Sequence, residues 1–265
     1  MLQAQLKGKL VAEEERMEDI LTSNVFGSIK YLKPEEGLLP ILQSVIDING
    51  QRPFSSIREI YDVHFSFWPW LRENECKPCE PDVLITVRLP DHRKIILLVE
   101  AKYLSEKSSE ADENPAPNDQ LAREYDNLEK LAGSGDILVL LYVTAHFGYP
   151  KEDIEESMSE HHRKRRSKMS VYWISWRKIA SLYPNAKEDT ILYDLVMVLR
   201  RMGLTFYEGL TVSRVPKLTW KFKAVTSWTW TQYDFHPLSW NFAANQNFNW
   251  QHSVTPFKWR FDNER

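Results

Sequence analysis

Residues 81–102 read Pro81-Asp82-Val83-Leu84-Ile85-Thr86-Val87-Arg88-Leu89, then Pro90-Asp91-His92-Arg93, then Lys94-Ile95-Ile96-Leu97-Leu98-Val99-Glu100-Ala101-Lys102. Two short runs of branched apolar residues flank a polar turn, the pattern of a β-hairpin. Centring the turn on Asp91 sets position 82 opposite 100, 83 opposite 99 and 84 opposite 98. Side chains alternate along a strand, so Val83, Ile85, Val87, Ile95, Leu97 and Val99 share one apolar face. The other face carries Leu84, Ile96 and Leu98 and ends in Asp82, Glu100 and Lys102. A slip of one residue would turn the apolar set to the wrong side, so the same pattern that fixes the register gathers the charges.

Buried carboxylates require a compensating cation, and oxygen ligands with room for water suit Mg2+. A lysine beside a metal-bound carboxylate can orient water and offset charge on a phosphoryl oxygen. The structural alternative is a Glu100–Lys102 salt bridge at a sheet end.

Pro81-Asp82 and Glu100-Ala101-Lys102 together resemble the signature of the PD-(D/E)XK nuclease superfamily. That resemblance implies a restriction-endonuclease-like α/β fold over about the first two hundred residues, with a central mixed sheet flanked by helices. It also implies a Mg2+-dependent deoxyribonuclease, with Mn2+ able to substitute. Asp82, Glu100 and the Ala101 carbonyl would hold the metal, and Lys102 would position the attacking water. Members commonly add an acidic residue from the first helix. Residues 5–22 have helical periodicity, with Glu14 near the inward line of Leu10, Met17 and Leu21 and Glu18 one step round, so either is a candidate. Some branches place a glutamine on the helix after the signature. Gln120 fits, although Tyr125 is one residue too distant for the Q-x-x-x-Y form.

The remaining elements follow the same reading. A break is expected over Thr22–Gly27, then a helix opened by Pro34-Glu35-Glu36-Gly37 and running to about Ile48. Residues 59–68 alternate as a strand beside the hairpin. Residues 105–118 form a loop placed to face substrate, Asn118-Asp119 cap a helix over 120–132, and 137–143 is a buried strand. An acidic helix over 151–160 precedes His161-His162-Arg163-Lys164-Arg165-Arg166-Ser167-Lys168, read as a solvated loop or a phosphate-contacting arm. A strand at 171–176 and a helix at 188–201 complete the domain.

The composition shifts after residue 210. Six of the ten tryptophans fall there, and Pro216/Trp220, Pro237/Trp240 and Pro256/Trp259 form a weak repeat. The expected organisation is a nuclease-like domain over 1–210 and an aromatic-rich extension over 211–265 packed on it. Basic residues among aromatics also suit single-stranded nucleic acid.

With 43% hydrophobic residues and a net charge of −3, the chain has no global attraction to nucleic acid, so DNA binding would use local patches. The absence of a membrane-length apolar run and of a signal-peptide pattern suggests a cytoplasmic protein without a membrane partner. Cys76-x-x-Cys79 lacks a second pair and reads as two ordinary thiols. The alternative to catalysis is a silent member of the same fold that binds nucleic acid or scaffolds proteins. Homodimerisation or association with other phage-defence proteins is a further expectation from the resemblance.

Overall fold

The computed structural model describes residues 2–7, 18–105, 107–110 and 115–206. The expected extension over 211–265 lies outside these residues, as does Glu14. The described residues all fall in one compact unit.

Five strands form one sheet in the order β1-β2-β3-β4-β5. They are β1 (Asp62–Phe67), β2 (Val83–Arg88), β3 (Lys94–Ala101), β4 (Ile137–Thr144) and β5 (Val171–Ser175). β1, β2 and β3 pair antiparallel, whereas β3, β4 and β5 pair parallel. The parallel steps require crossovers, supplied by α4 (Gln120–Leu131) and α5 (Lys151–Arg165). The other helices are α1 (Leu2–Leu6), α2 (Glu18–Ile29), α3 (Leu38–Ser44), α6 (Trp176–Ser181) and α7 (Ile191–Arg201).

The hairpin register is the one its apolar alternation requires: Val83 faces Val99, Leu84 faces Leu98 and Ile85 faces Leu97. Two cores follow from the pleat. On one side Val83, Ile85, Val87, Ile95, Leu97 and Val99 pack with Leu21, Phe26, Ile41, Trp176 and Leu199 from α2, α3, α6 and α7. On the other, Ile96, Leu98, Leu140 and Tyr142 pack with Leu121, Tyr125 and Leu128 of α4 and Ile154 of α5. The molecule is therefore an α/β protein with a mixed sheet between helical layers.

Three local expectations are corrected. α2 runs through Thr22–Gly27, because Leu21, Val25, Phe26 and Ile29 are all buried on one side and that burial outweighs the weak helix formers Ser23, Asn24 and Gly27. α3 stops at Ser44, and Ile46 instead bridges Trp173 on the sheet edge. α5 continues through the basic run to Arg165, its last N–H bond running from Arg166 to the His162 carbonyl at 2.9 Å, and Arg166 then turns the chain out of the helix with a left-handed φ of 56°. Cations at a helix C-terminus oppose the negative end of its dipole, which favours this extension. The helix α6, which no sequence pattern announced, begins where the Ser175 hydroxyl accepts from the Lys178 N–H at 3.1 Å.

Leu97 has no exposed surface and lies at the centre of the larger core. Leu97→Ala is expected to lower unfolding free energy by about 2–5 kcal/mol. Arg88→Ala, at the exposed end of β2, is expected to change it by less than about 0.5 kcal/mol. Urea unfolding of the two variants checks both figures.

Candidate functional site

The even-numbered residues of β2 and β3 face α4, so the charged end of the hairpin is set against the first turn of that helix. Asp82 is held from two directions. Its carbonyl accepts from Trp68 N–H at 2.9 Å, and its Oδ2 accepts from Ala101 N–H at 2.8 Å. Trp68 reaches this position at a φ of 46°, an unusual conformation for a bulky residue, immediately after β1. The antiparallel register thus delivers the Asp82 carboxylate to the backbone beside Glu100.

Glu100, at 2% exposure, accepts from Lys102 Nζ at 2.6 Å and from Gln120 Nε2 at 2.5 Å, both at Oε1. Lys102 is held in turn by its backbone: its N–H reaches Val143 O at 2.7 Å, and its carbonyl accepts from Trp176 Nε1 at 3.0 Å. Glu18, the first residue of α2, accepts from Lys102 Nζ at 3.2 Å, Tyr103 N–H at 2.8 Å and Ser105 Oγ at 2.5 Å. Glu18 therefore lies beside Lys102; Glu14, the other first-helix candidate, is outside the described residues. Gln120 also accepts from Ser108 N–H at 2.7 Å, so it bridges Glu100 to the loop before α4. That loop is tied further by Lys107, whose amine lies 2.6 Å from Asp119 and 3.1 Å from Glu156.

One residue was missed. Glu124 stands a turn after Gln120 on the same side of α4, is 1% exposed, and has an Oε2 with no hydrogen-bond partner. Its signal in the sequence was the i, i+4 spacing from Gln120.

The electrostatics follow from burial. Burial, reinforced by Glu100, raises the Asp82 carboxyl to about 8, against the opposing pull of Ala101 N–H and Lys102. Glu100 is raised by burial despite Lys102, and Glu124 by burial and the charge of Glu100. Lys102 is raised: burial works against its charge, but Glu100 and Glu18 more than offset this. Three buried carboxyls, Asp82, Glu100 and Glu124, thus surround a single buried ammonium, Lys102. Hard oxygen donors with an orphaned buried carboxyl oxygen among them fit a divalent cation of the Mg2+ type. The donors are drawn toward protein hydrogen bonds, Glu100 onto Lys102 and Gln120 and Asp82 onto Ala101 N–H. Among the described residues, the group whose ligand atoms already lie within 4.8 Å of one another is a different one, Asp126, Glu129 and His161.

The basic run divides. Lys164 pairs with Glu160, and Arg165 clasps Asp126 with Nε at 2.6 Å and Nη2 at 2.5 Å. Arg163, Arg166 and Lys168 are exposed. Cys76 and Cys79 are both thiols, and burial raises Cys76 to about 12. No helix among the described residues is long and apolar enough to cross a membrane. Scans against protein-family models, curated proteins and solved structures return no match for the chain.

A raised carboxyl pKa has a definite consequence for stability. Between the ordinary value near 4 and about 8, folded Asp82 holds a proton that the unfolded chain has lost. Its contribution is fully present below about pH 4 and is lost as pH rises through about 8, and Glu100 and Glu124 act in the same direction. Urea unfolding in chelator should therefore show stability falling across this window. Glu124→Gln should make the fall shallower, and a slope unchanged by this substitution would contradict the assignment.

Proposed function

We propose that the chain is a divalent-metal-dependent nuclease that hydrolyses phosphodiester bonds of DNA on a restriction-endonuclease-like core. The observation that carries this reading is the buried convergence of Asp82, Glu100 and Lys102 at one end of a register-locked hairpin. Such a cluster adds little to stability, since desolvating charges offsets most of what their pairing returns. Asp82 and Glu100 would hold the ion together with the Ala101 carbonyl, and Glu124 stands close enough to Glu100 to raise its own pKa. A bound Mg2+ or Mn2+ would supply Lewis-acid stabilisation of phosphoryl oxygens and a more acidic water.

The protein's own groups take the remaining tasks. Lys102 is kept an ammonium by Glu100 and Glu18, so it orients water and offsets phosphoryl charge rather than accepting a proton. Glu18 fixes the direction of that amine and ties it to the Tyr103 backbone. Gln120 holds Glu100 while its own carbonyl is held by Ser108, which sets the carboxylate's orientation. A role in restriction, phage defence or repair is consistent with this chemistry, as is work in a homodimer or with other defence proteins.

Purified protein incubated with linear and circular DNA should cut only when Mg2+ or Mn2+ is added. Asp82→Ala and Lys102→Ala should each reduce cleavage about a hundredfold or more while circular dichroism stays unchanged. Cleavage at parental rates in both variants would remove these residues from the chemistry.

Binding is expected to use the exposed cations at the end of α5. Replacing Arg163, Arg166 and Lys168 by serine should lower the salt dependence of DNA affinity by up to about three counterions. Lys164 and Arg165 are left in place, because Lys164 donates to the Ala116 carbonyl at 3.1 Å as well as pairing with Glu160 in its own helix, and Arg165 clasps Asp126 of α4. An unchanged slope in a fluorescence-anisotropy titration would show that this end of the helix does not meet phosphate.

A further inference from the structure

His161 lies on α5 with a side chain that has no exposed surface, yet neither of its ring nitrogens has a hydrogen-bond partner. A buried imidazole left unpaired is unfavourable, so its retention requires an explanation. The ring is not loosely placed. It packs edge-on against Tyr125 of α4, with ring centroids 5.2 Å apart and planes at 89°.

Two carboxylates of α4 face it. One oxygen from each of Asp126 and Glu129 and one nitrogen of His161 all lie within 4.8 Å of one another. His161 Nε2 and Glu129 Oε2 are 3.6 Å apart, too far for a good hydrogen bond. That separation is close to the edge of a tetrahedron with bonds of about 2.0–2.1 Å, roughly 3.3 Å. Arg165 already clasps Asp126, but each carboxylate oxygen has two lone pairs and can accept a guanidinium N–H while donating to a cation. The guanidinium then orients that carboxylate, as outer partners of metal ligands do.

We propose that Asp126, Glu129 and His161 form a second metal site, separate from the hairpin cluster, that takes Zn2+ and clamps α4 to α5. One imidazole nitrogen with two carboxylate oxygens suits a borderline ion better than Mg2+, and Zn2+ accepts three protein ligands with water in the fourth position. Asp126 and Glu129, at i, i+3, lie on the side of α4 that meets α5, whereas Gln120 and Glu124 lie on the side that meets Glu100. An ion held there would join α4 to α5 on the side of α4 turned away from the hairpin cluster.

The test uses the full chain, stripped with chelator and titrated calorimetrically with Zn2+ in millimolar Mg2+. One Zn2+ equivalent should bind and should persist in Asp82→Asn, which removes a ligand of the other cluster. Glu129→Gln and His161→Gln should each weaken that equivalent at least about tenfold. His161 is fully buried, whereas Glu129 is only partly so and can be changed without emptying the core, so Glu129→Gln is the decisive substitution. Co2+ in place of Zn2+ should give visible absorption that Glu129→Gln diminishes and Asp82→Asn leaves unchanged. Absence of a Zn2+ equivalent in Asp82→Asn, or undiminished binding in Glu129→Gln, would overturn the proposal.

Discussion

The pairing register of β2 against β3 is the constraint on which the rest depends. Val83 opposite Val99 and Leu84 opposite Leu98 send alternate residues to two different cores. β3 is buried from Ile95 to Ala101, so neither face tolerates a slip. Asp82 and Glu100 are carried by this register to the side of α4. The Asp82–Ala101 hydrogen bond then closes the end of the ladder with a side chain where a backbone carbonyl would otherwise serve.

The price of this placement is electrostatic. Asp82, Glu100 and Glu124 are each at most 8% exposed, and Lys102 is the cation among them. Protein hydrogen bonds satisfy one oxygen of Glu100 and one of Asp82, but an oxygen of Glu124 has none. The raised carboxyl pKa values state the same imbalance as protons retained. A divalent cation would reverse that logic, because it favours the ionised form of every carboxylate near it.

What could be read from the sequence was the part governed by short periods. The hairpin, β1, β4 and α4 follow from alternation, continuous apolar runs and the Asp119 cap, whose carboxylate accepts from Ala122 N–H at 3.1 Å. The site residues on β2 and β3 came with the register. The parts that were not legible depend on tertiary burial. α2 persists through Ser23, Asn24 and Gly27 because Leu21, Val25, Phe26 and Ile29 are covered by the larger core. α5 persists through four successive basic residues because Lys164 and Arg165 find Glu160 and Asp126, the latter on another helix. Glu124 flanks the inner stripe beside Gln120 in the sequence but was not assigned to the site, because a glutamate on an amphipathic helix usually faces water and nothing local shows that Glu100 lies beneath it.

α4 joins these observations. Its first turn presents Gln120 to Glu100, with Glu124 a turn later, so its position along the sheet sets the direction of a site carboxylate. Its opposite side is gripped by α5 through the Arg165–Asp126 pair and the Tyr125–His161 contact. The helix buries Leu121, Ala122, Tyr125 and Leu128 against the sheet, and polar contacts on its two flanks add to what fixes its rotation and height. A rotation of α4 by one residue, about 100°, would carry Gln120 off Glu100 and Asp126 off Arg165 together. The two charged clusters constrain each other through the helix between them, although they share no atom.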